Sequence, residues 1–80
     1  MEDSEILDEI QRGKTEYLDP LMKKYGALVY RVLLRFSNPG PDLDDLAQEV
    51  WMKVFFKVKD LKKKTSFRAW LINIAYHEGI

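Results

Sequence analysis

Apolar residues recur at spacings of three and four along most of this chain, the period of one face of an α-helix. The longest stripe is Leu18, Leu21, Met22, Tyr25, Leu28, Val29, Val32 and Phe36, which predicts a helix of about five turns. Pro20 falls near its start, where a missing amide hydrogen costs nothing because the first four have no partner inside the helix. Gly26 falls in its middle at a cost of about 1 kcal/mol relative to alanine, and so predicts the close approach of another helix. Two prolines and a glycine in Ser37-Asn38-Pro39-Gly40-Pro41 then impose a turn. A second stripe follows: Leu43, Leu46, Ala47, Val50, Trp51, Val54, Val58 and Leu61, opened by Asp42 as an N-cap with Asp45 three residues on. Phe56-Lys57-Val58-Lys59 alternates as a strand does, but over too few residues to outweigh the helical match before it.

Lys62-Lys63-Lys64 has no apolar period and reads as a loop. Ser66 or Thr65 then caps a last helix that turns Phe67, Trp70, Leu71, Ile74 and Ala75 inward. A short first helix around Ile6, Leu7 and Ile10 ends at a weaker break, Arg12-Gly13-Lys14-Thr15. The pattern predicts an all-α fold, a compact bundle of about four helices, with residues 1–80 as a single domain. Its expected core includes Leu21, Tyr25, Leu28, Val32, Leu46, Val50, Val54, Phe67, Trp70, Leu71 and Ile74.

Length and composition narrow the picture further. Eighty residues leave room for one modest core, and 46% apolar with 32% charged residues is the balance of a globular chain rather than a disordered or membrane one. No apolar run approaches the roughly 18 residues of a membrane span. With no cysteine there is no disulfide, no thiolate nucleophile and no finger-type zinc site, and the single histidine, His77, leaves little for a metal. Met1-Glu2-Asp3-Ser4-Glu5 is acidic where a secretory signal is basic, so the expected location is the cytoplasm. No nucleophile and base pair up in the sequence, so neither an enzyme nor a bound cofactor is expected.

The formal net charge is zero, yet residues 1–50 carry 11 acids against 6 bases and residues 51–80 carry 2 acids against 7 bases. A basic half favours a polyanion partner, and an acidic half can serve another protein. Some of this is ordinary helix electrostatics: Asp42, Asp44 and Asp45 lack the glycine and glutamate of a calcium loop and suit capping and dipole complementation. Asp45, Gln48, Glu49 and Met52 share one side of their helix. That side is either solvated, with Glu49 paired to Lys53, or a contact surface to which Met52 and Trp51 lend apolar weight. From Lys53 to Arg68, seven bases face the single acid Asp60, with Phe55, Phe56 and Phe67 interleaved, a composition suited to nucleic acid.

Read together, the turn, the acid-capped helix with Asp45-Leu46-Ala47-Gln48-Glu49-Val50-Trp51, the basic loop, and Ser66-Phe67-Arg68-Ala69-Trp70-Leu71-Ile72-Asn73-Ile74-Ala75 resemble region 2 of bacterial RNA polymerase sigma factors of the extracytoplasmic-function group. Tyr25 to Leu34, containing Val29-Tyr30-Arg31, resembles the long helix that opens that region. The resemblance implies a transcription initiation factor that docks on core RNA polymerase and recognises and melts the promoter minus-ten element. Asp45, Gln48, Glu49 and Met52, with Trp51 or Phe55 beside them, then match the contacts to the clamp helices of the β′ subunit. Lys59, Lys62, Lys63, Lys64, Ser66 and Arg68 fall where the family captures an unstacked base of the non-template strand. Phe67 and Trp70 match positions that hold the last helix in the core, and an anti-sigma factor is a further implied partner.

Two features depart from the family. Tyr76-His77-Glu78-Gly79-Ile80 stands where an arginine and an asparagine usually follow Ile74-Ala75, and the helix-turn-helix domain that reads the minus-35 element has no counterpart in these residues. Two other readings fit the sequence: a helical protein-interaction module without DNA function, and a helix-turn-helix reader of duplex DNA. The second is disfavoured because the acids opening the second long helix would face phosphate.

Overall fold

The computed structural model describes residues 2–62 and 66–80. Among these residues the chain forms four α-helices, α1 (Asp3–Gln11), α2 (Leu18–Leu33), α3 (Pro41–Lys57) and α4 (Phe67–Gly79), with 3-10 turns at Thr15–Tyr17 and Val58–Asp60. No strand occurs among the described residues, so the alternation around Lys57 yields to helix as the longer pattern requires.

Each helix buries one row. Leu21, Tyr25, Val29 and Leu33 of α2, four residues apart, meet Leu43, Val50 and Val54 of α3 and Phe67, Leu71 and Ala75 of α4, with Ile6, Leu7 and Ile10 of α1 closing one end. Of the expected core, Leu28, Val32, Leu46, Trp70 and Ile74 are only partly buried and pack against this set from its margin. Among the described residues no polar or charged side chain is buried, so the core carries no desolvated charge to compensate.

Aromatic and polar contacts fix the directions. Tyr25 meets Phe67 edge-on at 5.3 Å near the start of α4, and Phe36, beyond the end of α2, meets Tyr76 edge-on at 5.1 Å near the end of α4. The two helices therefore run the same way along one another. Tyr30, late in α2, donates its hydroxyl hydrogen to Asp44, early in α3, so α2 and α3 run in opposite directions.

Three local expectations change. The residue capping α3 is Gly40, not Asp42: Pro41 occupies the first helical position, where its fixed φ suits helix entry, and Gly40 adopts the positive φ of 144° that the turn requires. Asp42 and Asp44 instead sit in the first turn and complement the helix dipole. Ser66 is the N-cap of α4 but makes no side-chain capping bond, and Thr65 lies outside the described residues. A Cβ at Gly26 would meet no atom within 4 Å, so no helix crosses there. The close approach occurs at Gly79 instead, where a Cβ would collide with the ring of Phe36.

Candidate functional site

Two surfaces hold the residues singled out by the sequence. The first is the outer face of α3, where Asp45, Gln48, Glu49 and Met52 are all exposed and fall on one side because their spacing is that of successive helical turns. Glu49 does not pair with Lys53. Lys53 reaches the other way, to Glu78 of α4, and so fastens α3 to α4 while Glu49 stays on the outer face.

Beside this row runs a groove of about 490 Å³, lined by Ala47, Gln48, Trp51 and Met52 of α3 and closed by Met22 of α2. Phe55 and Phe56 extend its floor and pack edge-on at 5.4 Å. Met52 is 53% exposed and Phe56 69%, large values for apolar side chains that a solvated face would not favour. Trp51 lies half-buried against the core, so Phe55, Phe56 and Met52 carry the outward apolar surface. Met22 is a site residue that periodicity could not single out. It belongs to the same stripe as Leu21 and Tyr25, but α2 turns it to the groove rather than to the core.

The second surface begins where the 3-10 turn after α3 hands over to the basic segment. Lys59, Lys62, Ser66 and Arg68 are exposed, and Lys63 and Lys64 lie outside the described residues. Gln11 of α1 donates its side-chain amide to the carbonyl oxygens of Val58 at 2.9 Å and Leu61 at 3.0 Å, tying the entry of this segment to the bundle. On the far side Phe67 is buried and Trp70 half-buried, which agrees with a structural role for both.

Near Arg68 a polar cluster joins α1 to α2. Tyr25 donates its hydroxyl hydrogen to Asp3, and Lys24 lies 2.8 Å from the same carboxylate. Burial raises the Tyr25 hydroxyl above its ordinary value, and its bond to Asp3 adds to this. Burial also pulls Asp3 upward, but the hydrogen bonds from Lys24 and Tyr25 outweigh it and hold the carboxyl below its usual range. Asp3 and Tyr25 thus act as a latch and are poorly placed to exchange protons near neutrality.

Cations divide into two groups. Arg12 and Lys14 pair with Glu9, Lys23 with Asp19, Lys24 with Asp3 and Lys53 with Glu78. Arg31, Arg35, Lys57, Lys59, Lys62 and Arg68 form no ion pair among the described residues. Among the described residues no three His, Asp or Glu side chains gather as metal ligands. Nor is any helix among them long and apolar enough to cross a membrane. The arrangement offers an apolar groove edged with acids on one side and unpaired positive charge on the other, which suits binding one protein and one polyanion.

Comparison with known proteins bears on which ones. The family model described as Sigma-70 region 2 matches residues 21–80. The RNA polymerase sigma-H factor of Pseudomonas aeruginosa is 27% identical over 74 residues, 92% of this chain and 38% of that protein. The RNA polymerase sigma-H factor of Bacillus subtilis is 29% identical over 72 residues, 88% of this chain and 33% of that protein. The ECF RNA polymerase sigma-E factor of Haemophilus influenzae is 25% identical over 73 residues, 91% of this chain and 38% of that protein. The chain therefore spans between 33% and 38% of the length of these curated relatives. No solved structure matches it.

Proposed function

This chain belongs to the sigma-70 region 2 family, and we propose that it docks on bacterial core RNA polymerase and recognises and melts the promoter minus-ten element. One observation carries the docking half of this reading: α3 presents Asp45, Gln48, Glu49 and Met52 outward, beside an apolar groove whose Met22, Phe55 and Phe56 remain exposed. An apolar strip with a polar edge is the form of a protein interface, with the aromatics and methionine supplying buried area and the carboxylates setting orientation and partner choice. In the proposed complex that partner is the pair of clamp helices of the β′ subunit. An anti-sigma factor would compete for the same groove, and the similarity to an ECF sigma-E factor supports placing the chain in that subgroup.

The DNA half rests on Lys59, Lys62, Lys63, Lys64, Ser66 and Arg68, which would hold the non-template strand once it leaves the duplex. Binding energy spent on an unstacked strand shifts the promoter toward its open form, because only that form offers the strand. The domain itself makes and breaks no bond in this scheme. It works in the cytoplasm, beside the polymerase that performs nucleotide transfer.

A pull-down with bacterial core RNA polymerase tests the reading. The chain should be retained, and Glu49→Arg should lose retention while keeping its helical spectrum. Failure of the parent chain to be retained would end the docking proposal. The apolar groove also favours a second reading, a helical interaction module without DNA function, since such a groove engages protein rather than phosphate. If neutralising Lys62, Lys63 and Lys64 changes no activity, that second reading stands.

A further inference from the structure

We propose that Met22 and Met52 are sites of reversible oxidation by peroxides, and that conversion of these thioethers to sulfoxides weakens binding at the groove between α2 and α3. The inference rests on the docking reading above and names a way in which that surface is regulated.

The distribution of sulfur along the chain is the first observation. The sequence holds three methionines and no cysteine. Met1 opens the chain, and the other two both line the groove of about 490 Å³, Met22 from α2 and Met52 from α3. Every sulfur atom beyond Met1 therefore belongs to one surface. Met22 is 40% exposed and Met52 53%, so solvent reaches both. With no thiol in the chain to react first, these two thioethers are the oxidisable sulfur that a peroxide meets there.

Their placement is not what packing asks for. Methionine commonly fills irregular gaps in a core, because its unbranched chain adapts to them. Neither Met22 nor Met52 belongs to the buried core, to which α2 and α3 contribute Leu21 and Val50 at the same turns. Oxidation at these two positions leaves the core untouched, so a change in the groove is separable from loss of the fold. The rings of Phe55 and Phe56, which share the groove, resist peroxide, and the surface changes at its sulfurs.

The step is a two-electron oxygen transfer. A lone pair of the thioether sulfur attacks one oxygen of hydrogen peroxide, and the S–O bond forms as the O–O bond breaks. The departing hydroxide takes the proton from the transferred oxygen and leaves as water. Sulfur is oxidised and the peroxide is reduced. The product is polar, and covering its oxygen with an apolar partner surface costs free energy unless a donor meets it. Reversal is equally balanced: a methionine sulfoxide reductase removes the oxygen as water while a dithiol becomes a disulfide.

The test is the affinity of the full chain for core RNA polymerase before treatment with hydrogen peroxide, after it, and after incubation with both methionine sulfoxide reductases and dithiothreitol. Peptide mass mapping at each stage should show one oxygen gained at Met22 and one at Met52, and both lost on reduction. Affinity should fall about tenfold on oxidation and return on reduction, with the helical spectrum unchanged throughout. For Met22→Leu with Met52→Leu the quantity read is the ratio of treated to untreated affinity, which peroxide should leave unchanged whatever the untreated value. If the parent carries both sulfoxides and binds as before, the switch is wrong and the docking reading stands. If the untreated parent does not bind, both fail. The proposal is also overturned by sulfurs that stay unoxidised where a free methionine peptide reacts, by a treated parent that loses its helical spectrum, or by a double variant that loses affinity as the parent does.

Discussion

The side-chain amide of Gln11 donates to the backbone carbonyl of Leu61 across a sequence separation of 50 residues, and to that of Val58 at the same time. Both carbonyls close the 3-10 turn that leads into the basic segment, and Gln11 stands at the last turn of α1. The short first helix therefore does more than cover one end of the core. It fixes where the basic segment, proposed above to hold DNA, leaves the bundle.

Replacing Gln11 with alanine leaves two half-buried carbonyls without that donor and should cost about 1 to 2 kcal/mol, read as a shift of the urea midpoint. Single-strand affinity should fall as well, because the loop loses its anchor. Gln11→Glu, which replaces the donor with a carboxylate acceptor facing two carbonyl acceptors, should cost at least as much. If both variants unfold and bind like the parent, the anchor has no mechanical role.

Leu71 is fully buried at the centre of the core, whereas Leu46 packs at its margin. Leu71→Ala should cost about 2 to 5 kcal/mol, a large share of the stability of a domain this small. Leu46→Ala should cost clearly less, because less surface is exposed and a marginal site relaxes more easily. Equal costs in chemical denaturation would contradict the burial difference.

Glu49→Arg should change stability by no more than about 0.5 kcal/mol, since Lys53 is engaged with Glu78 and Glu49 has no ion-pair partner to lose among the described residues. Retention on core polymerase should nonetheless fall sharply if the outer face of α3 is the docking surface. Lys53→Ala is the useful contrast: it should loosen α3 from α4 and leave the outer face in place. A reversed Glu49 that competes for polymerase as well as the parent does would move the docking surface elsewhere.

Acid should loosen the junction of α1 with α2. Asp3 is held below its ordinary value, so its contribution is fully present above the unfolded pKa and is lost as pH falls through the folded one, below about pH 4. Tyr25 acts with the opposite sign: its raised value keeps its contribution at neutral pH and loses it only as pH climbs past about 10. Asp3→Asn should reduce neutral stability and flatten the acid limb of a plot of urea midpoint against pH. An unchanged acid limb would show that the latch contributes nothing.

The four helices were legible because their apolar period is strong and their breaks carry proline and glycine. Periodicity reports which residues share a face and not what that face meets. Leu21 and Met22 belong to one stripe, yet the first is buried and the second lines a surface groove. Likewise Phe55 and Phe67 look alike in sequence, and only the packing of α3 and α4 separates the exposed ring from the core ring. Capping at Gly40 instead of Asp42 reflects Pro41, whose preference for the first helical position outranks an acid one residue later. The polar row on α3 was readable because it lies within one helix. Met22 and Met52 come to one groove only when α2 packs against α3, a relationship between distant segments that no local pattern carries.

Salt dependence should separate the loop from the rest of the surface. The net charge of zero gives the chain little long-range attraction to a duplex, so binding depends on local patches whose reach is a screening length of about 8 to 10 Å. Each phosphate contact to a single strand contributes about 0.7 to the slope of log affinity against log salt. Changing Lys62, Lys63 and Lys64 to alanine should therefore lower that slope by about 2 if all three touch phosphate, and by less if one or two point to solvent. The parent slope, set by three to five loop contacts, should lie at roughly 2 to 3.5. Core polymerase should strengthen binding by holding the strand against the loop, and it should leave the difference between parent and variant intact. Titrating the labelled non-template oligonucleotide against each protein at four or more salt concentrations decides the matter. A parent slope near zero, or a triple variant whose slope equals the parent's, removes the loop from the DNA surface.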